Sequence, residues 1–124
     1  MTGRWRAAGA LFGALALIAV TGCSAEPGVT PTGDVTEVTV TVQGMHFIPD
    51  VIEVPAGDEL VITFENTGTD MHDLVLATGL ETGHLAPGES HVMEVGVISA
   101  DIDGWCSVGN HRAMGMELTV QVIE

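Results

Sequence analysis

The sequence predicts an all-β sandwich over residues 35–124. Two observations carry this. Short runs in which Val, Ile or Leu alternates with polar residues recur along the stretch, which is the period of a strand with one buried face. Turns rich in Gly, Pro and Asn separate them, and no segment sustains a helical period.

Val38-Thr39-Val40-Thr41-Val42-Gln43 shows the alternation most plainly. Ile52-Glu53-Val54 is a short strand that Pro55-Ala56-Gly57 ends. In Leu60 to Glu65 one face carries Leu60, Ile62 and Phe64, and Asn66-Thr67-Gly68 then turns the chain, with Asn66 making the turn. A strand over His72 to Leu76 follows, closed by Thr78-Gly79. Leu80 to Leu85 has no clear period and is compatible with a loop. Ala86-Pro87-Gly88 turns into a strand through Met93 to Val97, and Met116 to Val122 is the last strand. Past residue 22 the only aromatics are Phe47, Phe64 and Trp105, so aliphatic side chains must fill the core.

The start of the chain has a different character. Arg4 and Arg6 precede an apolar run from Ala7 to Val20, shorter than the roughly 20 residues a spanning helix needs and suited to a signal segment. It ends in Val20-Thr21-Gly22-Cys23, which resembles the lipobox of bacterial lipoproteins. That resemblance implies cleavage after residue 22 and a lipid on Cys23, placing the protein on the extracytoplasmic face of a cell membrane. Residues 23–34, rich in Pro, Gly and Thr, read as a lipidated Cys and flexible tether. Residues 1–22, 23–34 and 35–124 are then signal, linker and domain.

All 17 acidic residues lie beyond the signal segment, against a single cation, Arg112, and no Lys. Such a surface repels nucleic acid and anionic lipid. A protein partner with a basic docking surface suits it, although an acidic balance is more often only a solubility device.

Lipidation of Cys23 leaves Cys106 without a disulfide partner, and an unpaired thiol in an oxidising compartment needs burial or a metal. The stretch from Trp105 to Met116 puts Cys106, His111 and Met116 in one loop, and His72 lies upstream. Two imidazoles, a thiolate and a thioether form the ligand set of a blue-copper centre. Strand parity puts His72 on the face of Leu74 and Leu76, and Met116 on that of Leu118 and Val120, so both point inward. His46, His84 and His91 have no ligand spacing and read as solvated or strand-edge residues. Met45, Met71 and Met93 read as core or lining residues.

Cys106, His111 and Met116 fit C-x4-H-x4-M, and His111-Arg112-Ala113-Met114-Gly115-Met116 resembles the H-R-x-x-G-M ending of plastocyanins. The interval from Cys to His is more similar to azurins and to the copper domains of multicopper oxidases. Gly44 to Pro49, Ile52 to Gly57, and Glu65-Asn66-Thr67-Gly68 ahead of His72 also resemble small cupredoxins. The resemblance covers residues 35–124. It implies a Greek-key β-sandwich with one mononuclear type 1 copper. His72, Cys106 and His111 would be equatorial ligands and Met116 axial, with Met114 the rival axial candidate on a surface loop. Multicopper oxidases flank the Cys with His, whereas Trp105 and Ser107 stand here, which argues against an oxygen-reducing enzyme. Asp73 and Ser107 occupy positions where cupredoxins pair an Asn with a hydroxyl, and the Ser107 hydroxyl is expected to donate to Asp73 and brace the two ligand loops. Trp105 is expected on the opposite face of its strand. Arg112 either orients a partner or offsets local acid.

Two functions fit. The first is an electron carrier that passes single electrons between redox partners. The second is a copper lipoprotein that stores the metal or delivers it to an oxidase. An enzyme would need an open coordination position or a second metal, and the spacing supplies neither.

Overall fold

The computed structural model describes residues 28–124. The signal segment, Cys23 and the first residues of the tether lie outside them. The described chain forms eight strands: β1 (Val35–Gln43), β2 (His46–Ile48), β3 (Val51–Pro55), β4 (Glu59–Glu65), β5 (Val75–Leu76), β6 (Ser90–Val97), β7 (Ile102–Trp105) and β8 (Glu117–Ile123). One 3-10 turn spans Arg112–Met114. Two four-stranded sheets, ordered β2-β1-β4-β6 and β3-β8-β7-β5, pack as the expected sandwich. β1 runs parallel to β4, and β3 parallel to β8.

The alternation seen in the sequence becomes burial. Along β4, Leu60, Ile62 and Phe64 are buried, and Val40 and Val42 of β1 join them. From the other sheet come Ile52, Val54, Leu118 and Val120. Phe47 and Phe64 meet edge to face at 5.7 Å between ring centroids, a favoured arrangement for two aromatic quadrupoles.

Two strands escape the sequence reading. β2 is only three residues long. β7 reads Ile102-Asp103-Gly104-Trp105, with two residues that strands disfavour. Gly104 is there because the sheet is tight: a Cβ would lie 2.9 Å from Leu118 Cδ1 and 3.0 Å from Leu76 Cδ2. A glycine inside a strand marks such close approach.

The strand expected over His72 to Leu76 needs correction. Only Val75–Leu76 is strand, and alternation fails upstream, because His72, Asp73 and Leu74 are all buried. His72 is held by an isolated bridge to Leu85, with N–H to carbonyl distances of 3.1 and 2.8 Å. The loop over Leu80 to Leu85 supports this segment. The Leu74 N–H donates to Thr82 Oγ1 at 3.0 Å, and the Thr82 N–H donates back to the Leu74 carbonyl.

The last residues before β1 make contacts with the domain. The Thr32 N–H donates to the Gly57 carbonyl at 3.0 Å. Thr32 Oγ1 and Thr36 Oγ1 donate to the two carboxylate oxygens of buried Asp58, at 2.6 and 2.9 Å. Val29 and Thr30 lie so close to Gly57, at φ +94°, that a Cβ there would meet the Thr30 carbonyl. The chain is docked from Val29 onward because a buried carboxylate must find donors. This docking lies at the end of the sandwich where β1 and β4 begin and β3, β6 and β8 finish. The loops bearing His72 and Cys106 lie at the other end.

Candidate metal centre

Two separate parts of the fold supply the donors. His72 comes from the segment before β5, and Cys106 and His111 from the loop between β7 and β8. Cys106 Sγ lies 3.9 Å from His72 Nδ1 and 3.6 Å from His111 Nδ1. All three donor atoms fall within 4.8 Å of one another. Metal bonds of about 2.3 Å to sulfur and about 2.0 Å to nitrogen, splayed by roughly 120°, set sulfur–nitrogen separations near 3.7 Å. The donors already stand at the spacing a single ion needs, and their softness suits copper.

Met116 is fully buried one residue before β8. Its backbone ties Cys106 and His111 together: the Met116 N–H donates to the His111 carbonyl at 3.1 Å, and the Cys106 N–H donates to the Met116 carbonyl at 3.1 Å. Met114, the rival, is 52% exposed on the 3-10 turn. Gly115 closes that turn at φ +99°, a conformation glycine adopts without penalty.

Asp73 and Ser107 pair as the sequence suggests. The Ser107 N–H donates to Asp73 Oδ1 at 2.6 Å, and the Ser107 hydroxyl donates to Oδ2. One buried carboxylate thus links the residue after His72 to the residue after Cys106. His84, read from the sequence as solvated, lies with Nε2 3.6 Å from Asp73 Oδ2, its side chain largely exposed. Asn66 makes its turn. Its Oδ1 accepts from the Gly68 N–H, and its Nδ2 donates to the carbonyls of Asp70 and Leu85. Gly68 leaves room for the ligand ring, since a Cβ there would lie 3.2 Å from His72 Nε2. The sequence reading assigned no part in the site to Gly68, Thr82 or Leu85. The Gly after the Asn-Thr turn was the one signal available.

Burial shapes the titration of the donors. His72 is held below its ordinary value of 6.5, first by burial and then by His111, against the opposing pull of Asp70 and Asp73. The Cys106 thiol is pushed above 9.0 by burial. Backbone hydrogen bonds from Asp73 and Val108 favour the thiolate, while the Asp73 carboxylate opposes it. Both groups are therefore neutral in the metal-free fold at pH 7. Below 6.5 the unfolded chain takes up a proton that buried His72 resists, so metal-free stability falls as pH drops from 6.5 towards the folded value. Above 9.0 the unfolded chain gives up the thiol proton sooner, so stability falls again as pH rises. Urea midpoints of the metal-free protein should form a plateau between these limits, and His72→Phe should flatten its acid side. A wild-type acid slope that survives this substitution would exclude His72 as its source.

A profile of the cupredoxin-like domain matches residues 11–100. The chain belongs to the cupredoxin-like family. The match includes His72 and stops short of Cys106, so the loop from Cys106 to Met116 rests on the geometry above. Similar solved structures of cupredoxin fold include an auracyanin from Roseiflexus castenholzii, at TM-score 0.63 and 18% identity over 74% of this chain and 100% of that one. Auracyanin A of Chloroflexus aurantiacus, described as a blue copper protein, aligns at 0.62 and 15% identity over 72% and 99%. A copper-containing nitrite reductase from Thermus scotoductus aligns at 0.57 and 22% identity over 72% of this chain, but this chain spans only 23% of the reductase. At these identities the likeness is one of fold. No curated protein sequence matches the chain.

Proposed function

We propose that this cupredoxin is a membrane-anchored, extracytoplasmic type 1 copper protein that carries single electrons between redox partners. His72, Cys106 and His111 hold the ion, and Met116 is its axial ligand. The observation that carries this reading is the convergence of one sulfur and two imidazole nitrogens from distant parts of the chain. Copper supplies a one-electron couple. The protein's own residues do the rest. His72, Cys106 and Met116 are sealed from water, and His111 alone among the four reaches the surface. A partner therefore approaches at the His111 edge, where the residues from Ser107 to Gly115 carry no acidic group. The two sheets and the Asp73–Ser107 link fix donors that need little movement when the charge of the ion changes.

Copper delivery is the weaker reading, because releasing an ion would require opening a loop whose sulfur ligands are fully buried. The lipid anchor rests on Val20-Thr21-Gly22-Cys23.

The chain from Cys23 onward, loaded with Cu(II), should show intense thiolate-to-copper visible absorption and a fast, reversible one-electron wave. Transfer of copper to a metal-free acceptor without redox cycling, and no such wave, would favour delivery. Membrane-extracted protein should carry lipid on Cys23, and Cys23→Ala should release it to the soluble fraction.

A further inference from the structure

Neighbouring residues on an extended chain point to opposite faces. Trp105 before Cys106 and Glu117 after Met116 are such neighbours on the strands that flank the ligand loop, and Arg112 follows His111 into the 3-10 turn. These three outer residues meet. The Arg112 guanidinium carbon lies 4.1 Å from the centre of the Trp105 ring. Arg112 Nε donates to Glu117 Oε1 at 3.0 Å. Trp105 and Glu117 are register partners across β7 and β8. An outer contact set thus mirrors the inner ligand set, residue for residue.

The outer part of the loop, around the 3-10 turn, otherwise has little to hold it. None of the residues of the 3-10 turn is buried. The stretch from Asn110 to Gly115 is otherwise fixed by turn hydrogen bonds within the loop, such as Met114 N–H to the Asn110 carbonyl and Gly115 N–H to the Arg112 carbonyl. Arg112 is the only cation among the described residues, and its charge is already engaged rather than offered to a partner.

We propose that Arg112, stacked on Trp105 and paired with Glu117, is a positioning residue that clamps the His111 loop from outside the metal centre. It acts through the residues beside three ligands and touches no ligand donor atom. The inference rests on the copper-carrier reading for its consequence, but the clamp itself exists in the metal-free fold. It keeps His111 in place before an ion binds, and limits loop movement when the ion changes charge.

Exposed, each contact is modest: a cation over an aromatic face and a surface ion pair together change a local opening equilibrium by about three- to tenfold. The test uses variants that alter charge in opposite senses. Arg112→Met removes a positive charge, and Glu117→Ala removes a negative one. In the metal-free chain, both should speed amide hydrogen exchange at His111, Met114 and Gly115 by about three- to tenfold, leaving Gly57 and Ile98 at the far end unchanged. Arg112→Lys keeps the charge but not the planar stack, and should lie between. In the copper-loaded chain, both should slow electron self-exchange. Net charge alone would make the two variants differ in sign. Unchanged loop exchange, or self-exchange rates that move oppositely with charge, would overturn the clamp. A wild-type chain that gives no blue-copper spectrum would sink the carrier reading instead, and amide exchange in the metal-free protein would still decide the clamp.

Discussion

Cys106→Ala is expected to give a folded, colourless protein with copper affinity lowered by roughly a hundredfold or more. Sites with four nitrogen and sulfur ligands show apparent binding energies of about 10–16 kcal/mol, so one ligand accounts for about 3 kcal/mol. The visible band should vanish outright rather than weaken, because Cys106 is the only sulfur in the cluster that can ionise, and the absorption belongs to its thiolate. The metal-free fold should lose only about 1 kcal/mol, the scale of one small buried group. Ring nitrogens stand 3.6 and 3.9 Å from the sulfur. Optical titration with Cu(II) beside urea unfolding of the metal-free variant separates the two effects. An intense visible band in the Cys106→Ala protein would show that the thiolate is not a ligand.

Asp73→Asn should raise the reduction potential. The Asp73 carboxylate is buried and accepts two hydrogen bonds from Ser107. It also bears electrostatically on both Cys106 and His72. A fixed negative charge beside the centre favours the more positive oxidation state of the ion. Removing one charge at a partly buried site is worth on the order of 2 kcal/mol, or roughly 90 mV for one electron. An Asn oxygen still accepts from the Ser107 N–H, so the link between the two ligand segments survives. Asp73→Ala would break it, leaving the Ser107 groups without their partner at a cost of about 1–3 kcal/mol. Voltammetry of the Asn variant gives the electrostatic part, and the stability difference between the two variants gives the structural part. A potential that does not move in Asp73→Asn would mean the carboxylate is screened from the metal.

Much of the fold was legible because burial follows period. β1, β3, β4, β6 and β8 each contain a run of alternating aliphatics, and each appears within a few residues of its expected limits. β7 was invisible because what fits it to its neighbours is an absent side chain, at Gly104, rather than a pattern of side chains. Residue type and order pointed to His72, Cys106 and His111, whose donor atoms meet in the fold. The reason His72 points inward was not legible: parity gave the right orientation, but the segment is held by a bridge to Leu85 and by Thr82, and Asp73 is buried beside it. Contacts between distant segments leave no local period. The same holds for Thr32, whose composition suggests a mobile linker but whose hydroxyl answers a carboxylate 26 positions away.

That last contact sets a direction. β1 begins just beyond Thr32 and runs nine residues toward the ligand loops, a span of roughly 30 Å at the usual rise of a strand. A lipid on Cys23 would enter the domain at its base, with the copper on the summit. The proposed attachment point and the metal centre would then lie at opposite ends of the sandwich.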